Sequence, residues 1–165
     1  MDVYGKSGNY FRNNVWYWHP LWDYCLNIAP KIAGKVESGH YNDGDGLGAK
    51  DARALARVLK KSLESGQTAE YERIYNEHRA SLPREECELC DGTGIRTDAV
   101  GRDAGMPEQE LDDATAIVVG RAFGWCNGCN GEGMKDSFDA HYYFTVENVR
   151  EFAEFLSECD GFEIC

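Results

Sequence analysis

Residues 87–94 read Cys87-Glu88-Leu89-Cys90-Asp91-Gly92-Thr93-Gly94, and residues 126–133 read Cys126-Asn127-Gly128-Cys129-Asn130-Gly131-Glu132-Gly133. Both are C-x-x-C-x-G-x-G. Two cysteines three apart in a tight turn can direct both sulfurs to one metal ion. The glycines that follow permit positive φ, so backbone amides can turn toward the thiolates and stabilise their charge. Two such knuckles facing each other supply four sulfurs in a tetrahedron, the arrangement of a structural zinc site. The spacing therefore predicts one Zn2+ held by Cys87, Cys90, Cys126 and Cys129. Four thiolates leave no open position for water, so the expected role is structural rather than catalytic. Iron–sulfur is the rival centre for four cysteines, and knuckles of this type favour zinc.

The two motifs resemble the cysteine-rich repeats of DnaJ-type co-chaperones, which bind zinc through paired knuckles of this form. The likeness covers about sixteen of the 165 residues. Those co-chaperones carry four repeats and two zinc ions; two repeats here imply one. The 35 residues between Cys90 and Cys126 exceed a simple repeat spacing. No His-Pro-Asp tripeptide is present, since His19-Pro20 is followed by Leu21. The resemblance carries over the ligand roles of the four cysteines and not chaperone function.

Outward from the knuckles, the chain reads as mostly helical. Pro107 to about Ala122 is expected to be a helix with Glu108, Glu110, Asp112 and Asp113 in its first turns, favourable to the helix dipole. On the N-terminal side, Tyr71, Ile74, Tyr75, His78 and Leu82 recur at helical spacing over about 68–82, with His78 expected buried and hydrogen-bonded. Ala52, Leu55, Ala56, Leu59 and Leu63 do the same over about 49–65, and Gly66 is a natural stop. Residues 37–48 are glycine-rich and read as a loop. Asp43-Gly44-Asp45-Gly46 fits a calcium loop poorly, because Leu47 replaces an acid and no Glu closes a twelve-residue loop; a turn is the favoured reading. Leu21, Trp22, Cys25 and Ile28 share a face over about 20–29, with Pro20 in the first turn and Pro30 as the stop. The residues before Pro20 are left open between extended and helical. The aromatic run from Tyr10 to Tyr24 is read as core, with a binding surface as the alternative. On the C-terminal side, His141–Phe144 reads as a strand, Thr145 as an N-cap, and 146–158 as a helix burying Val149, Phe152, Ala153 and Leu156. Residues 162–164 are expected beside 141–144. The fold class is thus α+β, mostly helical: one compact domain over 1–165, with 85–133 as a zinc-knuckle subdomain or insert and a short C-terminal β element.

The composition sets bounds on partners. The chain has 29 acids against 17 bases, a net charge of −12, and is 42% hydrophobic. Such a chain repels nucleic acid and anionic membrane unless a local basic patch intervenes. No apolar run of about 18 residues suggests a membrane span, and Met1–Tyr10 lacks signal-peptide regions. The expected compartment is cytoplasmic, where thiols stay reduced and seven cysteines suggest metal ligation. Cys25 is expected to be buried packing, and Cys159 and Cys165 to flank a terminal turn.

The charge is segregated. Residues 31–61 hold seven bases and four acids, and the rest of the chain is strongly acidic. Lys50, Arg53, Arg57, Lys60 and Lys61 fall within roughly a 100° arc of one helix, and Glu147, Glu151, Glu154 and Glu158 within roughly 60° of another. Each row reads either as a solvated face or as a partner-binding surface. The basic row suits a phosphate backbone or acidic partner. The acidic row, with the acids of 85–115, suits a basic protein site. No nucleophile motif, phosphate-binding loop or His-x-x-x-His pair occurs.

The opening Met1-Asp-Val-Tyr-Gly5 with Tyr10-Phe-Arg-Asn-Asn-Val-Trp-Tyr-Trp18, and the ending Asp160-Gly-Phe-Glu-Ile-Cys165, resemble small bacterial and bacteriophage proteins without assigned activity. That resemblance implies a bacterial or phage-infected cell. The expectation is a non-catalytic acidic zinc-binding protein whose partner is another protein, as a phage or prophage regulator or anti-defence inhibitor. The alternatives are a nucleic-acid-binding module using the basic row and an enzyme with a structural zinc.

Overall fold

The computed structural model describes residues 1–165. The protein is α+β and mostly helical, and its residues form two units. Met1–Ser81 with Ala140–Cys165 make a helical unit; Leu82–Asp139 make a second, which contains both knuckles.

In the helical unit a four-stranded antiparallel sheet has the order β2-β1-β6-β3. The strands are β1 (Asp2–Gly5), β2 (Tyr10–Arg12), β3 (Asp45–Gly48) and β6 (Gly161–Ile164). Pairing of Val3 with both Phe11 and Ile164, and of Phe162 with Leu47, puts these five apolar residues on one face. Tyr4, Tyr10 and Glu163 alternate to the other face and are exposed. Two expectations are corrected here. Residues 162–164 pair with β1 and β3, not with 141–144, and part of the 37–48 loop is the strand β3. Short strands near the N-terminus carry too few alternations to signal themselves in sequence.

Helix α1 (Val15–Ile28) begins five residues before Pro20, capped by Asn14, whose side chain accepts from the Tyr17 N–H. Pro20 therefore lies inside the helix, and the carbonyl of Trp16 loses its helical donor. The Tyr143 N–H takes that carbonyl at 2.8 Å. This explains why 141–144 is not a strand: a 3-10 turn ends at His141, and the following residues are tied to a helix carbonyl instead of a sheet. Pro30 does not merely stop α1. It opens the short helix α2 (Pro30–Ala33).

Helix α3 (Ala49–Glu64) and helix α7 (Val146–Glu158) pack along each other. Thr145 caps α7 by accepting from the Asn148 N–H. Their apolar faces, with the inner faces of α1 and the sheet, close one core around Trp18, Trp22, Leu55, Leu59, Phe152 and Phe162. Trp18 and Trp22 stack with centroids 5.6 Å apart. The Trp18 indole donates to the Gly39 carbonyl at 2.8 Å. A Cβ on Gly39 would fall 2.0 Å from the Trp22 ring, so only glycine fits there. A buried hydroxyl chain joins Tyr24, Thr68 and Ser62 and ends on the Leu59 carbonyl, satisfying each group.

Helix α4 (Gln67–Ser81) turns Tyr71 and Tyr75 toward Phe144. The expected face including Ile74 and His78 is corrected, because both are exposed. The aromatic slot formed by Tyr24 and Phe144 selects the Tyr71–Tyr75 side of the helix. The aromatic run 10–24 divides. Phe11, Trp18, Trp22 and Tyr24 are core, whereas Tyr10 is exposed and Trp16 and Tyr17 are half-buried.

The second unit is built from turns. It holds the two-stranded ladder β4 (Glu85–Glu86) with β5 (Met134–Lys135), α5 (Ala99–Asp103) and α6 (Asp113–Val119). The single helix expected over 107–122 is corrected to α6 alone, preceded by a 3-10 turn at Met106–Glu108. Asp112 caps α6 through the Thr115 N–H, and Leu111 gives its N–H to the Ala122 carbonyl, a bond that excludes helix there. A Glu110–Phe123 bridge continues this closure. No helix of the protein is long and apolar enough to cross a membrane.

Candidate metal centre

Each knuckle is a tight turn closed by its own backbone. The Cys90 and Gly92 N–H groups donate to the Cys87 carbonyl, and the Cys129 and Gly131 N–H groups to the Cys126 carbonyl. Asp91 and Asn130 occupy the left-handed region at φ 48° and 49°, where Asp and Asn are tolerated. The glycines next in line also have positive φ. The turns then aim amides at sulfur: Gly94 N–H to Cys90 Sγ at 3.2 Å and Gly133 N–H to Cys129 Sγ at 3.1 Å. This is the role the C-x-G-x-G spacing implied.

The knuckles meet closely. A Cβ on Gly94 would lie 2.1 Å from the Gly131 carbonyl oxygen, and one on Gly133 2.1 Å from that of Gly92. The Cys87 N–H donates to the Gly133 carbonyl at 2.9 Å. Arg121 joins both turns, its Nη2 donating to the carbonyls of Gly94 and Gly131. Arg96 pairs with Asp98 at 2.8 Å and reaches Asn127 beside the second knuckle.

This packing brings Cys87, Cys90, Cys126 and Cys129 together. All four are buried free thiols, with sulfurs within 4.8 Å of one another. Cys87 and Cys126 are 3.9 Å apart, and Cys90 and Cys129 3.7 Å. A tetrahedral ion with metal–sulfur bonds of about 2.3 Å requires sulfurs about 3.8 Å apart. The site fits one metal ion. Burial pushes the thiol of Cys129 up to about 12 and that of Cys126 upward. Burial also raises Cys87, but the Leu89 amide and the neighbouring cysteines outweigh it and hold this thiol below its ordinary value. Four thiolates together need a cation at their centre, and a bound cation reverses the cost of ionising them.

The remaining candidates lie in the helical unit. Lys50, Arg53, Arg57, Lys60 and Lys61 are exposed along α3, and Glu147, Glu151, Glu154 and Glu158 along α7. Where α3 packs on α7, the two rows approach each other at Lys60 and Glu154. Arg53, Arg57 and Lys60 line a shallow groove with Ser157, while Lys60 and Glu154 share the next groove. Arg53 is already paired with Asp160 at 3.1 Å. Asp45 takes the amides of Ser38 and Gly46, which hold its carboxyl below the usual range and shape the turn.

One constellation escaped the sequence reading. His40 Nε2 contacts Asp23 Oδ1 at 2.8 Å, and the His19 ring lies edge-on to His40 with centroids 5.0 Å apart. His19 and Asp23 are four apart on α1, a spacing that places them on one side of a helix. His40 is contributed by a loop, so no periodicity pointed to it. Burial holds the His19 imidazole below its ordinary range. Neither ring hydrogen-bonds to a serine, threonine or cysteine that would act as a nucleophile. No protein-family model, curated protein or solved structure matches the chain.

Proposed function

We propose that the chain is a zinc protein that acts by binding another protein. Cys87, Cys90, Cys126 and Cys129 hold one structural Zn2+, and the acidic surface receives a basic partner. The carrying observation is that, apart from these four cysteines, Leu111 is the only buried hydrophobic side chain within 82–139. A unit of that size without an apolar core needs a metal to fold. Four clustered cysteine sulfurs suit zinc or iron, and the likeness of both knuckles to DnaJ-type repeats favours zinc. With all four positions filled by sulfur, no water is activated, so the metal supports structure rather than catalysis.

The binding reading rests on charge. At the α3–α7 seam Lys60 of the basic row shares a groove with Glu154, and Arg53 is paired with Asp160. A nucleic-acid backbone at that seam meets both signs, which favours a protein partner over a phosphate backbone. The likeness of the chain ends to bacterial and phage proteins supports a regulator or anti-defence inhibitor in the bacterial cytoplasm.

Elemental analysis of protein purified without added metal tests the centre. Zinc near one per chain is expected, and iron or no metal would overturn it. Titration with duplex DNA and single-stranded RNA at two salt concentrations tests the partner class. Binding that weakens steeply with salt would replace the protein-partner reading with the nucleic-acid one.

A further inference from the structure

Helix α6 has no buried residue. Its Ile117 is 82% exposed and Val118 73% exposed, and Phe123, just beyond the loop, is 55% exposed. Seven residues rich in β-branched side chains do not hold a helix by propensity. This one is held at its ends. Asp112 caps it at the start, Gly120 ends it in the left-handed region, and the Leu111–Ala122 hydrogen bond closes the loop that carries it. The fold therefore fixes an aliphatic helix face in water instead of burying it. Beside it lies a groove of about 210 Å³ lined by Ala114, Thr115, Val118, Val119, Asn130 and Glu132.

Acids border this face: Asp112 and Asp113 open α6, Glu110 is bridged to Phe123, and Glu132 lines the groove. Residues 82–139 hold thirteen acids against five bases. Arg84 is paired with Glu132 and Asp136, Arg96 with Asp98, and Arg121 serves knuckle carbonyls. Glu108, Glu110, Asp112 and Asp113 have no basic partner in the chain. A zinc ion in four thiolates contributes a further net negative charge. Nucleic acid and anionic lipid are repelled by such a field, and a neutral apolar surface leaves it unanswered.

We infer that the α6 face docks an amphipathic basic segment of another protein, whose apolar residues cover Ile117 and Val118 while lysines or arginines meet Glu108, Glu110 and Asp113. This rests on the reading of the chain as a protein-binding zinc protein. The apolar contacts supply the affinity, and the acidic rim sets orientation and speeds encounter.

A random peptide library displayed on phage, panned on the zinc-loaded full chain, tests the inference. The Ile117→Asp/Val118→Asp double variant serves for counterselection, and Ile117→Ser/Val118→Ser is the gentler second variant. Enriched peptides are expected to combine spaced apolar residues with net positive charge. Their affinity is expected to drop about ten-fold or more in both variants. Replacing Glu108, Glu110 and Asp113 by amides should flatten the salt dependence. No enrichment, enrichment of neutral or acidic peptides, or equal binding to the serine variant would each overturn it. Zinc content and amide protection of residues 82–139 are measured on every sample. A zinc-loaded, protected chain that selects no basic peptide defeats the docking face and leaves the metal centre standing. A chain without zinc defeats both.

Discussion

The helical unit and the unit at 82–139 solve the same problem by different means. The first gathers twenty-four buried side chains, including two tryptophans, into one cluster against a sheet face and three helices. The second buries four cysteines in a cluster and little else that is apolar. Its backbone is held by turns whose amides point at sulfur or at the facing knuckle. Solvent-driven burial stabilises the first, and a metal ion bound by the four cysteines would stabilise the second. A unit freed from burying its helix also leaves α6 exposed, whereas α1, α3 and α7 of the other unit spend their apolar faces on the core.

Metal removal tests that contrast with the largest expected effect. Structural zinc supplies on the order of 10–16 kcal/mol in small metal-held units. Chelation or Cys90→Ser should abolish amide protection at 82–139 and leave Trp18 and its neighbours protected, as read by hydrogen exchange. Acidification should do the same, because protons compete with the metal for the thiolates. Retained protection without metal would break the comparison.

The reciprocal change is Trp18→Ala. It should cost about 3–5 kcal/mol and lower the denaturation midpoint of the helical unit, with metal content unchanged. Leu111→Ala comes next, at about 2–3 kcal/mol, and should ease metal release in chelator competition. An unchanged release midpoint would mean that Leu111 supports nothing. Ile117→Ser should be the mildest, within about 0.5 kcal/mol in thermal unfolding, because an exposed side chain leaves no cavity. A larger loss would show that α6 packs against something and would weaken its role as a docking face.

Much of the helical pattern was legible beforehand. The face of α3, the face and cap of α7, and Gly66 as a stop follow from local spacing and capping chemistry. The two cysteine turns were legible for the same reason, since C-x-x-C-x-G-x-G is a local rule. Contacts between distant segments were not. Strand β6 was placed beside the wrong partner, because register depends on which edges meet. Residues 141–144 have strand composition, yet the carbonyl freed by Pro20 claims their backbone. The His40–Asp23 contact joins a loop to a helix that no period links.

By itself the sequence determined the four sulfurs, the glycines that aim amides at them, and the apolar stripes of α3 and α7. These depend on neighbours within a turn or two. Only the tertiary structure decided that the four sulfurs gather within 4.8 Å of one another, that Lys60 and Glu154 share a groove, and that Ile117 and Val118 face water. Each of these depends on residues tens of positions apart, brought together by burial and hydrogen bonding that no local pattern encodes.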